Sequence, residues 1–343
     1  MPSESSREAE RPIGWAIIGA SAIAEEFMIE AIRQTGGVPH IVVSGDGAYA
    51  KTYAERNGIA GHTTSLAEAL SDDRIGAVYI GSANSKHHEQ VIAAAKAGKH
   101  ILCDKPLATK LTDAGEMVRA CEEAGVVLAV NHHLRASRLH QEMRRMIADG
   151  AIGDVRSVMI VHAGYLREKL QTWRITDPAE GAIYLDLSVH DIDLARFLLQ
   201  QDPLAAAGMG KAFALGRDEI HDHAVYAVTM SGGALLQVQE SFVTPHAESQ
   251  VLALGSKGVL LATGTIGQKA QGRLIRRTGA GEETLSIAQV DLYQETVHRF
   301  LEAIARRGEP LATGRDGAMS LAAAQAVAAS VSSGRSIKVE PVA

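Results

Sequence analysis

Between residues 13 and 130 the chain alternates short apolar runs with amphipathic stretches of about ten to fourteen residues, and this two-period texture limits the fold more than any other feature. Strands are expected at 13–18, 40–43, 77–80, 100–103 and 126–130, with helices at 22–35, 48–56, 86–97 and 112–124. Gly36-Gly37, Asn57-Gly58 and Gly98 stop three of the helices. Strands separated by helices of that length form βαβ units, hence a parallel sheet covered on both faces. Ligands of such a sheet sit at the carboxyl ends of its strands. The expectation for residues 12–132 is therefore an α/β, Rossmann-type dinucleotide-binding domain.

Beyond residue 132 the texture changes. A helix is expected at 136–148, then strands at 155–162, 224–230, 234–243 and 251–254, with Ser231-Gly232-Gly233 and Gly255-Ser256-Lys257-Gly258 as turns. One helix interrupts them at 188–199, and helices at 293–306 and about 318–332 close the chain. Residues 133–343 thus read as an α+β domain with a large, mostly antiparallel open sheet and helices to one side. A length of 343 residues agrees with two domains. At 46% hydrophobic and 22% charged residues the composition is globular. A net charge of −6 and only 4% aromatic residues argue against nucleic acid and membrane partners. No apolar run reaches the length of a bilayer span. Cys103 and Cys121 are lone thiols, expected to be buried, without a disulfide framework or zinc site, so a cytoplasmic location is expected. Residues 1–11 read as a loose polar tail. An apolar face on the second sheet would favour a homo-oligomer.

The segment Gly19-Ala20-Ser21-Ala22-Ile23-Ala24 joins the first strand to the first helix as a degraded G-x-G-x-x-G/A. Gly19 permits the tight turn, and the small Ser21 and Ala24 let backbone and helix approach a pyrophosphate held by the helix N-terminus. At the end of the second strand an acid would accept from the ribose 2′-OH and repel a 2′-phosphate. Ser44 stands there instead, which points to NADP. Asp46 two residues on keeps NAD open, and the nearest cation is Lys51.

Two clusters carry chemistry. Cys103-Asp104-Lys105-Pro106 follows a parallel strand, and Pro106 ends the ladder so that Lys105 is a positioned cation. Asp186 and His190 are one helical turn apart in Tyr184-Leu185-Asp186-Leu187-Ser188-Val189-His190. Asp186 also has an ordinary reading as a helix cap, and with no further ligand at matching spacing no metal is expected. Hydride arriving at a carbonyl carbon leaves an alkoxide that must be stabilised and protonated. A lysine polarises the oxygen, a histidine gives the proton near neutral pH, and an aspartate orients them. Asn131-His132-His133-Leu134-Arg135, after the last parallel strand, adds donors and acceptors for a hydroxyl-rich substrate, though its histidines are equally core candidates.

Asp104-Lys105-Pro106 resembles the Glu-Lys-Pro motif of the glucose–fructose oxidoreductase and inositol dehydrogenase family. The stretch from Gly181 through Asp186 to His190 and Asp193 resembles that family's second motif, and the resemblance spans about residues 12 to 335. The phrases around Gly19, Ala31-Ile32-Arg33, Asn131-His132-His133, Trp173-Arg174 and Val189-His190-Asp191 are similar to those of the family's NADP-dependent sugar reductases. The resemblance implies Lys105, Asp186 and His190 as the catalytic group. It implies Ser21, Ile23 and Ala24 at the pyrophosphate, and Ser44 at the adenosine ribose or its phosphate. Asn84 and His87 would line the cofactor groove, with Asp104, Asn131, Trp173 and Arg174 near nicotinamide and substrate. Three departures stand out: Asp104 for the usual Glu, the reduced glycine content of Glu180-Gly181-Ala182, and Tyr49 where those reductases carry an arginine for the 2′-phosphate.

The implied activity is hydride transfer between NADP(H) and a cyclic sugar or related ketose. An NAD-dependent sugar or inositol dehydrogenase keeps the chemistry and reverses its direction. A non-catalytic dinucleotide or sugar sensor uses the same fold, but has no need of Lys105, Asp186 and His190 together.

Overall fold

A computed structural model describes residues 12–177, 180, 182–217 and 220–342. The polar segment 1–11 and Gly181 of the second motif lie outside the described residues. The first sheet comprises β1 (Gly14–Ile18), β2 (Val38–Val43), β3 (Gly61–Thr63), β4 (Ile75–Ile80), β5 (His100–Cys103) and β6 (Leu128–Val130). Its order is β3-β2-β1-β4-β5-β6, parallel throughout, so the order reverses beside β1 and leaves a crevice between the carboxyl ends of β1 and β4. The connecting helices are α1 (Ile29–Gln34), preceded by a π-helical turn at Ala24–Met28, then α2 (Gly47–Arg56), α3 (Leu66–Ser71), α4 (His87–Lys96) and α5 (Leu111–Ala124). The sequence reading placed neither β3 nor α3, since three and six residues are too short to display a period.

Every residue of β1 is buried, as a parallel strand covered on both faces requires. Trp15 and Ile17 face one core with α1, α2 and the late helix α9 (Leu292–Ile304), whose Phe300 ring lies 5.4 Å from that of Trp15. Ala16 and Ile18 face the other core with α3, α4, α5 and α10 (Gly314–Ser333).

Between these parts run α6 (Arg138–Ala148), β7 (Val155–Ala163), α7 (Trp173–Thr176), α8 (Val189–Leu199), β8 (Pro203–Lys211), β9 (His223–Met230), β10 (Leu235–Ser241), β11 (Gln250–Gly255), β12 (Gly258–Thr263), β13 (Arg273–Thr278) and β14 (Gly281–Leu285); β15 (Ile337–Lys338) follows α10. They form one sheet in the order β14-β13-β12-β11-β7-β10-β9-β8-β15, antiparallel except where β10 lies parallel to β7. Leu236, Val238 and their neighbours bury one face against α6, α8 and α10, while Leu235, Gln237 and Gln239 stay exposed. Strands β8 and β12 to β15 escaped the sequence reading. Pro203-Leu204-Ala205-Ala206-Ala207-Gly208 and the charged β13 and β14 lack β-branched alternation, and sheet pairing overrides their weak local preference. Among the described residues no helix is long and apolar enough to cross a membrane.

Candidate active site

The crevice opens over the β1 turn. Gly19 adopts φ +98°, and a Cβ there would fall 2.6 Å from the Ser82 backbone nitrogen, so only glycine lets this loop pass the one after β4. Ser21 Oγ accepts from the Ala24 N–H at 3.3 Å and caps the incoming helix, while Tyr53 Oη donates to the Ser21 carbonyl at 2.9 Å. Ser21 thus stands at one rim of the groove, Ile23 is partly exposed beside it, and Ala24 is buried beneath in the core. Ser44 lies at its outer end beyond β2, where Asp46 caps α2 by accepting from the Tyr49 N–H at 2.9 Å. On the opposite rim Asn84 donates to the Glu180 carbonyl at 2.6 Å, tying the groove to the second motif. His87 is buried, its ring nitrogens 3.0 Å from the Pro106 carbonyl and 3.3 Å from that of Ser82. It acts on the groove through the loops it staples.

At the carboxyl end of β5 the expected cation is in place. Lys105 Nζ donates to Asp186 Oδ1 and to the Asp186 carbonyl, both at 2.7 Å. Arg174 Nε donates to Asp186 Oδ2 at 3.2 Å and stacks its guanidinium 4.3 Å from the Trp173 ring centroid. The two carboxylate oxygens are therefore shared between two cations. Burial opposes ionisation of Asp186, but Lys105 and Arg174 outweigh it and pull the carboxyl down to about 2. Asp186 lies in a π-helical turn, Tyr184–Ser188, that precedes α8 and extends the helix expected from residue 188 backwards. His190, one turn on, meets the edge of His133 with ring centroids 5.2 Å apart and that of His132 at 5.9 Å.

Here the structure changes one expectation. Burial, followed by the charges of Lys105, His133 and His132, holds His190 well below the ordinary imidazole range. His190 is thus neutral at neutral pH, a hydrogen-bonding group and not a ready proton donor.

The floor beneath fits a nicotinamide dinucleotide. Asn131 donates to Asp104 Oδ1 at 3.1 Å, whereas its Oδ1 is buried without a partner among the described residues, as is His190 Nδ1. Orphaned polar atoms of this kind call for a polar ligand. Together with the Gly19 turn they make a groove with a polar end, which a dinucleotide's pyrophosphate and carboxamide match. Among the described residues no cluster of three or more His, Cys, Asp or Glu is arranged to hold a metal.

Two neighbours, Tyr293 and His162, had no signal in the sequence, and a third, Glu180, was marked only as the start of the second motif. Tyr293 of α9 stacks between Phe27 and His133, with centroids 4.9 and 5.3 Å away, and donates to Gln268 from the loop after β12. His162 of β7 binds Asp191. Glu180 meets the Ser85 N–H at 3.2 Å. No motif carries Tyr293 or His162; only the folded chain brings them to the groove.

Residues 13–132 match the model of the oxidoreductase family with an NAD-binding Rossmann fold, and residues 140–261 match the GFO/IDH/MocA C-terminal domain. The chain is 40% identical over 327 residues to the 1,5-anhydro-D-fructose reductase of Ensifer adhaerens, covering 95% of this chain and 98% of that one. It is 28% identical to the myo-inositol 2-dehydrogenase of Thermotoga maritima, over 80% and 83% of the two chains. A levoglucosan dehydrogenase solved with NADH and levoglucosan shares the fold at a TM-score of 0.86 and 19% identity, over 96% of this chain and 100% of that one. The Rossmann domain, the open second sheet and these matches identify the chain as a member of the GFO/IDH/MocA family of NAD(P)-dependent oxidoreductases.

Proposed function

We propose that the protein reduces the ketone of a cyclic sugar with NADPH, accepting NADH as well, and that 1,5-anhydro-D-fructose is the substrate to try first. The observation that carries this reading is the Lys105–Asp186–Arg174 cluster at the carboxyl end of β5, beside buried His190. A bound nicotinamide supplies the hydride. Lys105 then polarises the carbonyl oxygen and delivers the proton from Nζ, because a buried ammonium beside the developing alkoxide stabilises it most where water is excluded. Asp186 aims that ammonium, Arg174 and Trp173 close over the sugar, and neutral His190 holds a hydroxyl next to the reacting carbon. The resemblance to a sugar reductase at 40% identity supports the substrate class. The two buried free thiols accord with a cytoplasmic enzyme.

Lys105→Ala is expected to lower kcat by about 10²- to 10⁴-fold while NADPH still binds, read by stopped assays and nicotinamide fluorescence. Full turnover in that variant would remove Lys105 from the chemistry. A second reading, NAD-dependent sugar oxidation, is favoured by one feature: Asp46, two residues after Ser44, sets a carboxylate at the N-terminus of α2 that would repel a nearby 2′-phosphate. Comparing initial rates with NADPH and NADH against the ketose and its alcohol separates the two.

A further inference from the structure

The helix-facing side of the second sheet is apolar, lined by Val158, Ile160, Leu236 and Val238, except at one place beneath the start of α8. There Glu240 and Asp191 are both fully buried. Glu240 accepts from Tyr226 Oη at 2.6 Å and from Ser188 Oγ at 2.7 Å. Asp191 Oδ1 lies 2.9 Å from His162 Nδ1. The parallel register of β7 and β10 sets His162 directly beside Glu240. Two carboxyls, a phenol, a hydroxyl and an imidazole thus occupy a core position that apolar residues would fill at no loss of stability. Of the five, only the His162 side chain reaches the surface, at 21% exposure. It lies close to His190 and His133.

We infer that Asp191 and Glu240 are positioning residues, fixing His162 through its Nδ1 so that Nε2 is left as the acceptor for a hydroxyl of the sugar. The inference rests on the proposed sugar reduction for its substrate. Burial and the neighbouring Asp191 hold Glu240 well above the ordinary carboxyl range, so the pair carries one charge and Glu240 keeps its proton. Asp191 Oδ2 is buried without a hydrogen-bond partner among the described residues, beside Glu240. Facing Asp191 Oδ1, His162 donates from Nδ1. The groups around this imidazole are Asp191, His190, Glu240, Tyr226 and His133, and none of them takes Nε2 as a hydrogen-bond partner.

The test combines ¹⁵N spectra of the imidazoles with steady-state kinetics on the full-length enzyme. The wild type is expected to show His162 protonated at Nδ1. Glu240→Gln, which preserves a neutral donor beside Asp191, should leave that tautomer in place. Asp191→Asn presents an amide donor to Nδ1 and should invert the tautomer. It should raise the sugar KM about tenfold with NADPH affinity unchanged. His162→Ala, on a half-buried strand position that tolerates truncation, should reproduce the KM rise if Asp191→Asn does not fold. A wild-type His162 protonated at Nε2, or an unchanged sugar KM in His162→Ala, would overturn the inference. Wild-type enzyme inactive on sugar ketones would instead remove the proposed function, and the tautomer spectra would still decide this one.

Discussion

Tyr49 is the residue on which dinucleotide preference is predicted to turn. Its backbone N–H is spent on Asp46, the residue is 46% exposed, and its hydroxyl lies 3.4 Å from the Ala20 carbonyl and near the Arg56 guanidinium. The neighbouring Arg56 is held by Glu25, whose Oε2 accepts from its Nη2 at 2.9 Å, and Arg33 is spent on the carbonyls of Asn57 and Gly58. A 2′-phosphate at Ser44 would therefore meet a hydroxyl and the Asp46 carboxylate with no arginine fork to answer its charge. Tyr49→Arg is expected to raise the NADPH-to-NADH affinity ratio about tenfold, as one charge-assisted contact allows. Fluorescence titration with each nucleotide measures it, and an unchanged ratio would put the preference in Ser44 and the α2 N-terminus. At this scale the sequence was read well where a motif carries the side chain. Lys105 and Asp186 meet, because a strand end followed by proline and a helix start fix their directions, whereas the approach of Arg174 to Asp186 had no signal in the sequence. The protonation of His190 was not readable. It depends on burial and on Lys105, His133 and His132, which come from two separate segments and meet His190 only in the fold.

Among the elements, α10 joins the two halves. One side of it, with Ala318, Leu321 and Ala322, enters the core of the first sheet, and Ala323, Ala324 and Val327 enter that of the second. A helix lodged between two sheets needs thin side chains, which explains its alanines. A Cβ on Gly317 would come 2.6 Å from Val130, so even alanine is too large there. Its first turn is closed by a capping box in which Thr313 and Asp316 satisfy each other's backbone, while Asp316 also receives Arg135 and Arg196 at 3.1 and 2.9 Å. Thr313→Ala is expected to cost about 1 kcal/mol, seen as a lower denaturant midpoint, with Thr313→Ser restoring most of it. Equal stability of all three would mean that the ion pairs alone fix the helix start. The closing helix was anticipated from its apolar period, but four residues too late, since Gly314 and Gly317 read as helix breakers. They are tolerated because β6 approaches at that point. The same contrast runs through the sheets: strands with apolar runs were read, and β8, β13 and β14, whose identity rests on their partners, were not.

Taken whole, the molecule stores an unusual number of neutral imidazoles, and this sets its response to acid. Burial pushes His132 and His140 down to about 4 and His133 to about 3, and His87 and His190 move the same way. Unfolded histidine titrates near 6.5. Above that pH neither state takes up these protons, so the fold is at full strength. As pH falls from about 6.5 towards 4 only the unfolded chain binds them, and each such imidazole weakens the fold by about 1.4 kcal/mol per pH unit. Below the folded-state values the loss from histidine stops. Glu240 works in the opposite sense above about 4.5, since the fold binds its proton first, and it offsets roughly one histidine. Asp186, held at about 2, then costs stability only below about pH 4. With native stabilities of about 5–15 kcal/mol, the enzyme is predicted to lose most of its urea resistance between pH 7 and 5, well before its carboxylates titrate. Urea midpoints at pH 7, 6 and 5 measure this. A flat response would require the imidazoles to be protonated in place, with Asp193 answering His132 3.7 Å away, and the histidine cluster beside Lys105 would then be cationic during turnover.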